Sequence, residues 1–485
     1  MVLFMPDQLR ADCVGAFGNP LASTPHIDAL AGRGVRFEEA YAQHTVCSQS
    51  RVSMFTGWYP HVNGHRTLTH LLQPHEPNVF RRLRESGYHV ASAGARGDMM
   101  GVGVTAVSSD RFGFTRKPDL RALHQFSTAG VGRDDHRFYS MWGGRLDGEP
   151  FDFDEATVCT AADWLSEGMP EPWCLFIPLI YPHPPFAAPE PWYSLHDRDV
   201  MPDPIPATFT GKPRFFKAIH ERYGLAEMTA ADWRELIATY YGMVSRMDDQ
   251  FGRVIEAVEA VGAAERTVTF FFTDHGEYLG DYGLVEKWMA GLDNCLVRIP
   301  LIVHDPTGAS GVSTSFAELV DLTATMLDYA DAEPTWTHFG RSLRHVIEDP
   351  SADHRREAFS EGGFLVEEEP LLEAGATGHY DAKQALQHED TTLAGRAVAV
   401  RTEAWTYVER LYEGPELYDR VADPEEKINL AGSHECAGVQ AHLKDRLFRW
   451  LFETSDVIPW EQDPRMAPEL VATWRQHGTE RRDVN

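Results

Sequence analysis

Cys47 and Arg51 stand four residues apart in the stretch His44-Thr-Val-Cys47-Ser-Gln-Ser-Arg51-Val-Ser-Met-Phe-Thr56-Gly57. On a helix that spacing puts both side chains on one face. A cysteine at a helix N-terminus feels the positive end of the dipole, where backbone N–H groups collect anions. A nucleophile-type side chain beside a guanidinium at such a place suits attack on an oxyanion ester. Taken alone, a pair of this kind is more often a buried structural cysteine at a helix start. The rest of the chain must therefore supply the remainder of a site.

In open parallel sheets, ligands bind outside the carboxyl ends of the strands. Short apolar runs at residues 2–5, 90–93, 173–180, 267–272 and 299–303 alternate with helical patterns. This predicts an α/β fold, a large mostly parallel sheet sandwiched by helices. Asp7 and Gln8 follow the first run, Asp274 and His275 follow the run at 267–272, and His183 follows the one at 173–180. All five should gather at one edge of the sheet. A single carboxylate after a strand is commonly a turn residue. Two acid-plus-partner pairs at equivalent places are harder to dismiss. Two carboxylates, an amide oxygen and an imidazole can hold a hard-to-intermediate divalent cation and leave room for a substrate oxygen.

The elements that must position these residues are legible in outline. A chain of 485 residues is long for one core, and 43% hydrophobic content with 12 Trp and 26 Phe is ample for packing. Residues 229–263 read as a long helix, with Leu236, Tyr240, Met243, Met247, Phe251, Ile255 and Val258 on one face and Thr229 and Asp232 capping its start. The Pro-rich stretch 182–206 reads as a loop near the rim, and 319–330 as another helix. Composition turns polar near 349–355, dividing the chain into a catalytic α/β domain at 1–350 and a smaller C-terminal α+β domain at 351–485. Within the latter, 361–394 lacks periodicity and reads as a long loop or insertion, 398–408 as a strand, and 436–452 as a closing helix. His61, His65 and Arg66 read as a structural loop that could line the cleft. Asp248 and Asp249 read as surface or interdomain pairs, and Asp281 with Tyr282 as a brace for the second acidic loop.

Charge and cysteine usage narrow the partners. The 44 Lys and Arg against 73 Asp and Glu give a net charge of −29, which repels nucleic acid and anionic membrane and disfavours a highly anionic polymer as substrate. Six cysteines without a CxxC pair fit a reducing compartment. The first apolar run reaches a chemical motif by Asp7, leaving no room for a signal peptide. No apolar run approaches the roughly 20 residues that span a bilayer. The expectation is a cytoplasmic protein.

The Cys47 stretch resembles the signature of type I sulfatases, Cys-x-Pro/Ala-x-Arg followed by a short spacer and Thr-Gly, which Thr56 and Gly57 complete. The segments at 272–287, 297–302 and 417–430 are similar to that family in order and wording, so the likeness runs from residue 2 to about residue 430. It implies an alkaline-phosphatase-like fold and oxidation of Cys47 to formylglycine by a maturation enzyme. The hydrated aldehyde would be the nucleophile, and loss of its second hydroxyl proton would expel sulfate. It also implies one divalent metal ion, Ca²⁺ or Mn²⁺, held by Asp7, Gln8, Asp274, His275 and position 47. Arg51, His183 and Lys287 would stabilise charge on the ester oxygens, and an ungapped match puts Arg96 where the family has an anion-binding lysine. The substrate implied is a small-molecule sulfate ester of an alcohol or phenol, and the family commonly assembles as homo-oligomers. The Asp-Gln and Asp-His pairing is closest to the branch of phosphonate monoester hydrolases and related arylsulfatases, so phosphonate monoester or phosphodiester hydrolysis is a second expectation. Two positions depart from the pattern. Gln49 replaces the usual Pro or Ala, which leaves open a catalytically silent protein with unmodified Cys47, and Asp98 falls where a histidine is usual.

Overall fold

In the computed structural model, which describes residues 1–94, 98–148 and 150–455, the chain starts on a buried strand. β1 (Val2–Met5) has every side chain fully buried. Alternate residues point to opposite faces, so Val2 and Phe4 pack on one side and Leu3 and Met5 on the other. Only a strand covered on both faces demands such an unbroken apolar run. β1 lies inside an eight-stranded sheet whose other strands, in chain order, are β2 (Val35–Phe37), β3 (His89–Ala93), β4 (Arg111–Gly113), β5 (Trp173–Pro178), β6 (Thr269–Phe272), β7 (Leu301–His304) and β8 (Gly311–Ser313). The spatial order is β8-β2-β7-β6-β1-β5-β3-β4. All neighbours run parallel except β7, which is antiparallel to both β2 and β6. This is the large, mostly parallel sheet that the apolar runs predict.

Helices cover both faces. On the Phe4 side lie α1 (Pro25–Arg33), α3 (Phe153–Glu167) and the 31-residue α4 (Ala230–Ala260). The expected capping box is present on α4, with Thr229 and Asp232 bonded reciprocally. Phe4 meets Phe251 of this helix edge-on at 5.0 Å between ring centroids, and each such fully buried ring contributes roughly 1.5–3 kcal/mol. On the Leu3 side lie α2 (Cys47–Thr56) and α5 (Asp321–Tyr329). The C-terminal part holds a four-stranded antiparallel sheet, β9 (Glu357–Gly362), β10 (Ala397–Thr402), β11 (Trp405–Arg410) and β12 (Glu416–Asp419), packed against α7 (Ala437–Thr454). We retain 1–350 and 351–485 as a proposed domain division; 95–97, 149 and 456–485 lie outside the described residues.

Four local expectations are corrected. The stretch 398–408 is two strands, because the hairpin between β10 and β11 turns at Glu403 and Ala404. The Pro-rich stretch 182–206 contains a short strand, Phe186–Pro189, paired in parallel with Trp142–Leu146 in a separate two-stranded sheet, where prolines are tolerated at the margins. Asp248 is buried, not at the surface, and accepts from the backbone N–H groups of His26 and Ile27 at 3.2 and 2.8 Å, capping α1. The insertion 361–394 carries a nine-residue helix, α6 (Asp381–Glu389). Its buried positions are Ala382, Lys383, Leu386 and Gln387. Half of that face is polar, which is why no apolar period marks it.

Candidate active site

The site forms where three strand ends meet a helix start. β6, β1 and β5 are adjacent and parallel, so the residues after each emerge on the same side. Asp7, Gln8, Asp274 and His275 are all fully buried there. Gln8 has a left-handed backbone with φ of 66°, a conformation that costs a non-glycine residue roughly 1–2 kcal/mol. Leu279, Tyr282 and Glu286 share it in the loop that follows Asp274 and His275. Strain of this kind collects where surroundings hold a backbone for function. Gly276 is required for packing: a Cβ there would stand 2.0 Å from the Cys295 carbonyl oxygen.

α2 begins at Cys47 and closes on Gly57, whose φ of 70° forms a left-handed cap bonded back to Ser53 at 2.9 Å. The Thr-Gly ending of the motif is therefore a helix stop. Thr56 adds its hydroxyl, which accepts from Trp58 N at 3.1 Å. One turn after Cys47, the fully buried Arg51 donates to Asp274 Oδ2 at 2.8 Å and to Asp7 Oδ2 at 2.5 Å, with Asp98 at 3.8 Å. Its fork geometry fixes both carboxylates at once. Arg51 thus orients the acidic pair.

The remaining oxygens and the imidazole fit a divalent cation. One atom each from Asp7, Cys47, Asp274 and His275 lies within 4.8 Å of the others. His275 Nδ1 bonds the Gly276 carbonyl at 2.9 Å, so Nδ1 carries the hydrogen and Nε2 presents its lone pair. Nε2 has no hydrogen-bond partner and stands 3.7 Å from Asp7 Oδ1 and 3.9 Å from Asp274 Oδ1. Burial holds the imidazole below its ordinary range against the pull of Asp274, leaving the ring neutral. A neutral nitrogen lone pair facing two carboxylate oxygens beyond hydrogen-bond distance is repulsive unless a cation sits between them. One guanidinium, moreover, cannot neutralise two buried carboxylates. Gln8, expected as a further ligand, has its amide oxygen bonded by Lys287 and its amide nitrogen donating to Glu277, which ties the loop after β1 to the lysine loop.

Lys287 lines the cavity together with Cys47. Its ammonium also pairs with Glu286 at 2.9 Å. Burial alone would raise Glu286, but Lys287 and Lys383 outweigh it and bring the carboxyl down to about 2. Glu277, with burial and then Glu286 acting on it, is pushed up to about 7. His183, on the loop after β5, lines the same cavity as Cys47 and Lys287. Its Nδ1 bonds the Pro184 carbonyl at 2.7 Å, turning Nε2 away from the backbone. Arg96 lies outside the described residues. Burial, followed by the charge of Asp7, pushes the Cys47 thiol up to about 12, so the protein's own groups keep the unmodified side chain protonated and weakly nucleophilic at neutral pH.

The other candidates are structural. His61 bonds Glu361 and Thr454, His65 bonds Glu76 and the His70 carbonyl, and Arg66 pairs with Glu368. Asp281 pairs with Arg10, on the loop after β1, at 2.7 Å. What the sequence reading missed is the far wall. The cavity of about 340 Å³ over Cys47 is lined by Tyr380 and Lys383 of the insertion, and Lys383 donates to Glu286 and to the Lys287 carbonyl at 2.8 Å. No motif marks these residues. The only available signal was a lysine and a tyrosine three apart in an otherwise acidic segment.

The Sulfatase family model matches residues 1–332. The chain belongs to the sulfatase family. Relatives of this sulfatase-family chain include the multifunctional alkaline phosphatase superfamily protein PehA of Trinickia caryophylli, 26% identical over 94% of this chain and 96% of that protein. An arylsulfatase of Clostridium perfringens is 25% identical over 75% of this chain and 81% of its own. Among solved structures, the phosphonate monoester hydrolase of Agrobacterium radiobacter aligns with a TM-score of 0.74 at 24% identity, covering 93% of this chain and 95% of that one. The fold is therefore that of the alkaline-phosphatase-like sulfatases, as the strand ends and motifs imply. Among the described residues, no helix is long and apolar enough to cross a membrane.

Proposed function

We propose that this protein hydrolyses sulfate monoesters of a small organic alcohol or phenol, with Cys47 converted to formylglycine and one divalent cation bound beside it. The observation that carries this is the convergence of Asp7, Asp274, His275 and Cys47 at the N-terminus of α2 with Arg51 and Lys287 around them. Asp7, Asp274 and His275 would hold the cation together with position 47, with Gln8 as the further candidate ligand. When bound, the ion supplies Lewis acidity to an ester oxygen and lowers the pKa of an oxygen at position 47. A nitrogen among the donors tilts the choice towards Mn²⁺ over Ca²⁺.

The chain's own groups do the rest. Lys287, which lines the cavity, and Arg51 beneath it would meet negative charge on the non-bridging oxygens, each worth a few kcal/mol if preorganised in a dry pocket. His183 lines the cavity, and as the imidazolium it can give the leaving oxygen a proton from Nε2 while Nδ1 keeps its own on the Pro184 carbonyl. With both nitrogens of His275 engaged, by the Gly276 carbonyl and by the cation, a neighbouring carboxylate would take the proton whose loss releases the product. The buried walls exclude water, which strengthens every one of these interactions.

The Asp-Gln and Asp-His pairs favour a second reading, phosphonate monoester or phosphodiester hydrolysis, which PehA and the Agrobacterium fold relative make worth testing. Gln49 motivates a third, a silent protein with free thiol. Peptide mass spectrometry at position 47, on protein made in its native host, should show conversion. Turnover of 4-nitrophenyl sulfate should exceed that of bis(4-nitrophenyl) phosphate and of a phenylphosphonate monoester. Free thiol with no ester turnover would leave the silent reading, and the reverse substrate order would leave the phosphonate reading. A maturation enzyme, a cytoplasmic setting and homo-oligomer formation complete the proposal as partners and place.

A further inference from the structure

Among the polar side chains that the insertion brings to the cavity, Tyr380 and Lys383 play no part in the strand-end chemistry. Tyr380, immediately before α6, lines the cavity with Cys47, and its buried hydroxyl has no hydrogen-bond partner among the described residues. Lys383 follows three residues later, on the same helix face. Two of its donors go to Glu286 and to the Lys287 carbonyl, and an ammonium has a third. A buried hydroxyl left unpaired costs stability, so a native structure that keeps one has a use for it. Burial, with Glu286 and then Cys47 adding to it, holds the Tyr380 phenol well above its ordinary value, so it is a hydrogen-bond donor at neutral pH. Lys287 and Lys383 both pair with Glu286, so two ammonium groups bonded to a single carboxylate stand at this wall. Beside these donors lies an apolar portion of the wall, formed by Val46, Leu68, Met289, Phe364, Leu372 and Ala376.

We propose that Tyr380 and Lys383 are specificity-determining residues that donate hydrogen bonds to the non-bridging oxygens of a singly charged tetrahedral ester, while the apolar wall takes an uncharged aryl or alkyl group. A doubly charged phosphate monoester would bring one charge too many. The inference deepens the ester-hydrolase reading and rests on it for the position of the ester, but not on turnover.

Benzenesulfonate, which is singly charged, tetrahedral at sulfur and not hydrolysed, tests it by calorimetric titration of the full chain. The protein should bind it more tightly than doubly charged phenylphosphonate at alkaline pH. Tyr380→Phe should weaken benzenesulfonate binding roughly fivefold to twentyfold and leave the thermal midpoint unchanged or higher, because the hydroxyl has no partner to lose. Lys383→Gln should weaken it more than about tenfold, and Lys383→Arg should restore most of it. Binding by Tyr380→Phe within twofold of the parent, a lowered midpoint for that variant, or tighter binding of phenylphosphonate would each overturn the inference. Since the probe is not turned over, the result stands apart from the test of catalysis: a chain with unconverted Cys47 can still show it, and an active enzyme can still lack it.

Discussion

The cavity has a floor and a wall, and they are built differently. The floor comes from chain segments up to 279 residues apart, as Lys287 and Gln8 are, and its polar groups are interlocked, with Arg51 bonded to both acidic loops. The wall comes mainly from one insertion, 361–394, clipped to the floor through Lys383 on Glu286 and completed by Val46, Leu68 and Met289; it carries apolar side chains and a hydroxyl with no partner among the described residues. Chemistry that must be shared by any ester belongs to the part fixed by the sheet. Discrimination between organic groups belongs to the part that can change without moving a strand end.

Damage to the floor should be severe. Cys47→Ala or Asp7→Asn should reduce ester turnover to background, at least about a thousandfold, measured with a saturating aryl sulfate. Activity within tenfold of the parent in either variant would break the division drawn above. Arg51→Met should also unfold the protein more easily, by roughly 3–5 kcal/mol, because two buried carboxylates lose their counterion. Denaturant titration checks this, and added Mn²⁺ should recover part of the loss by binding the same carboxylates.

The hinge between floor and wall gives a pH signature. Against the cost of burial, His61 and Arg396 bring Glu361 down to about 2 from 4.5. A depressed carboxyl contributes stability that is fully present above pH 4.5 and lost as pH falls towards 2. The amount is on the order of 3 kcal/mol. Glu361→Gln should therefore flatten the acid limb of stability between those limits while the parent falls steeply. Equal slopes would show that the insertion is not anchored there.

Damage to the wall should be mild and selective. Leu372→Ala should lower kcat/KM for an aryl ester about tenfold and leave a methyl ester nearly unaffected. A uniform loss across both would mean that Leu372 supports the floor.

The same contrast governs what could be read in advance. The floor was legible because strand ends repeat a pattern: Asp7-Gln8 and Asp274-His275 each follow a fully buried apolar run, and parallel neighbours bring equivalent positions together. The role of Arg51 as a clamp on both acids was not legible, since nothing local says that two distant carboxylates turn towards it. The capping box of α4 was visible because both partners lie within one turn. The cap of α1 by Asp248 was not, because its partners lie 222 and 221 residues away. The hairpin at Glu403 was missed because its turn lacks glycine or proline punctuation.

By itself, then, the sequence determined the sheet, its long helix and the residue types at three strand ends, because burial on two faces and local capping leave periodic marks. Only the tertiary structure decided which oxygen faces which nitrogen in the His275 cluster and that α6 closes the cavity. Its inward face serves the site in place of the core, so Tyr380 and Lys383 stand where an apolar period would otherwise have announced a helix.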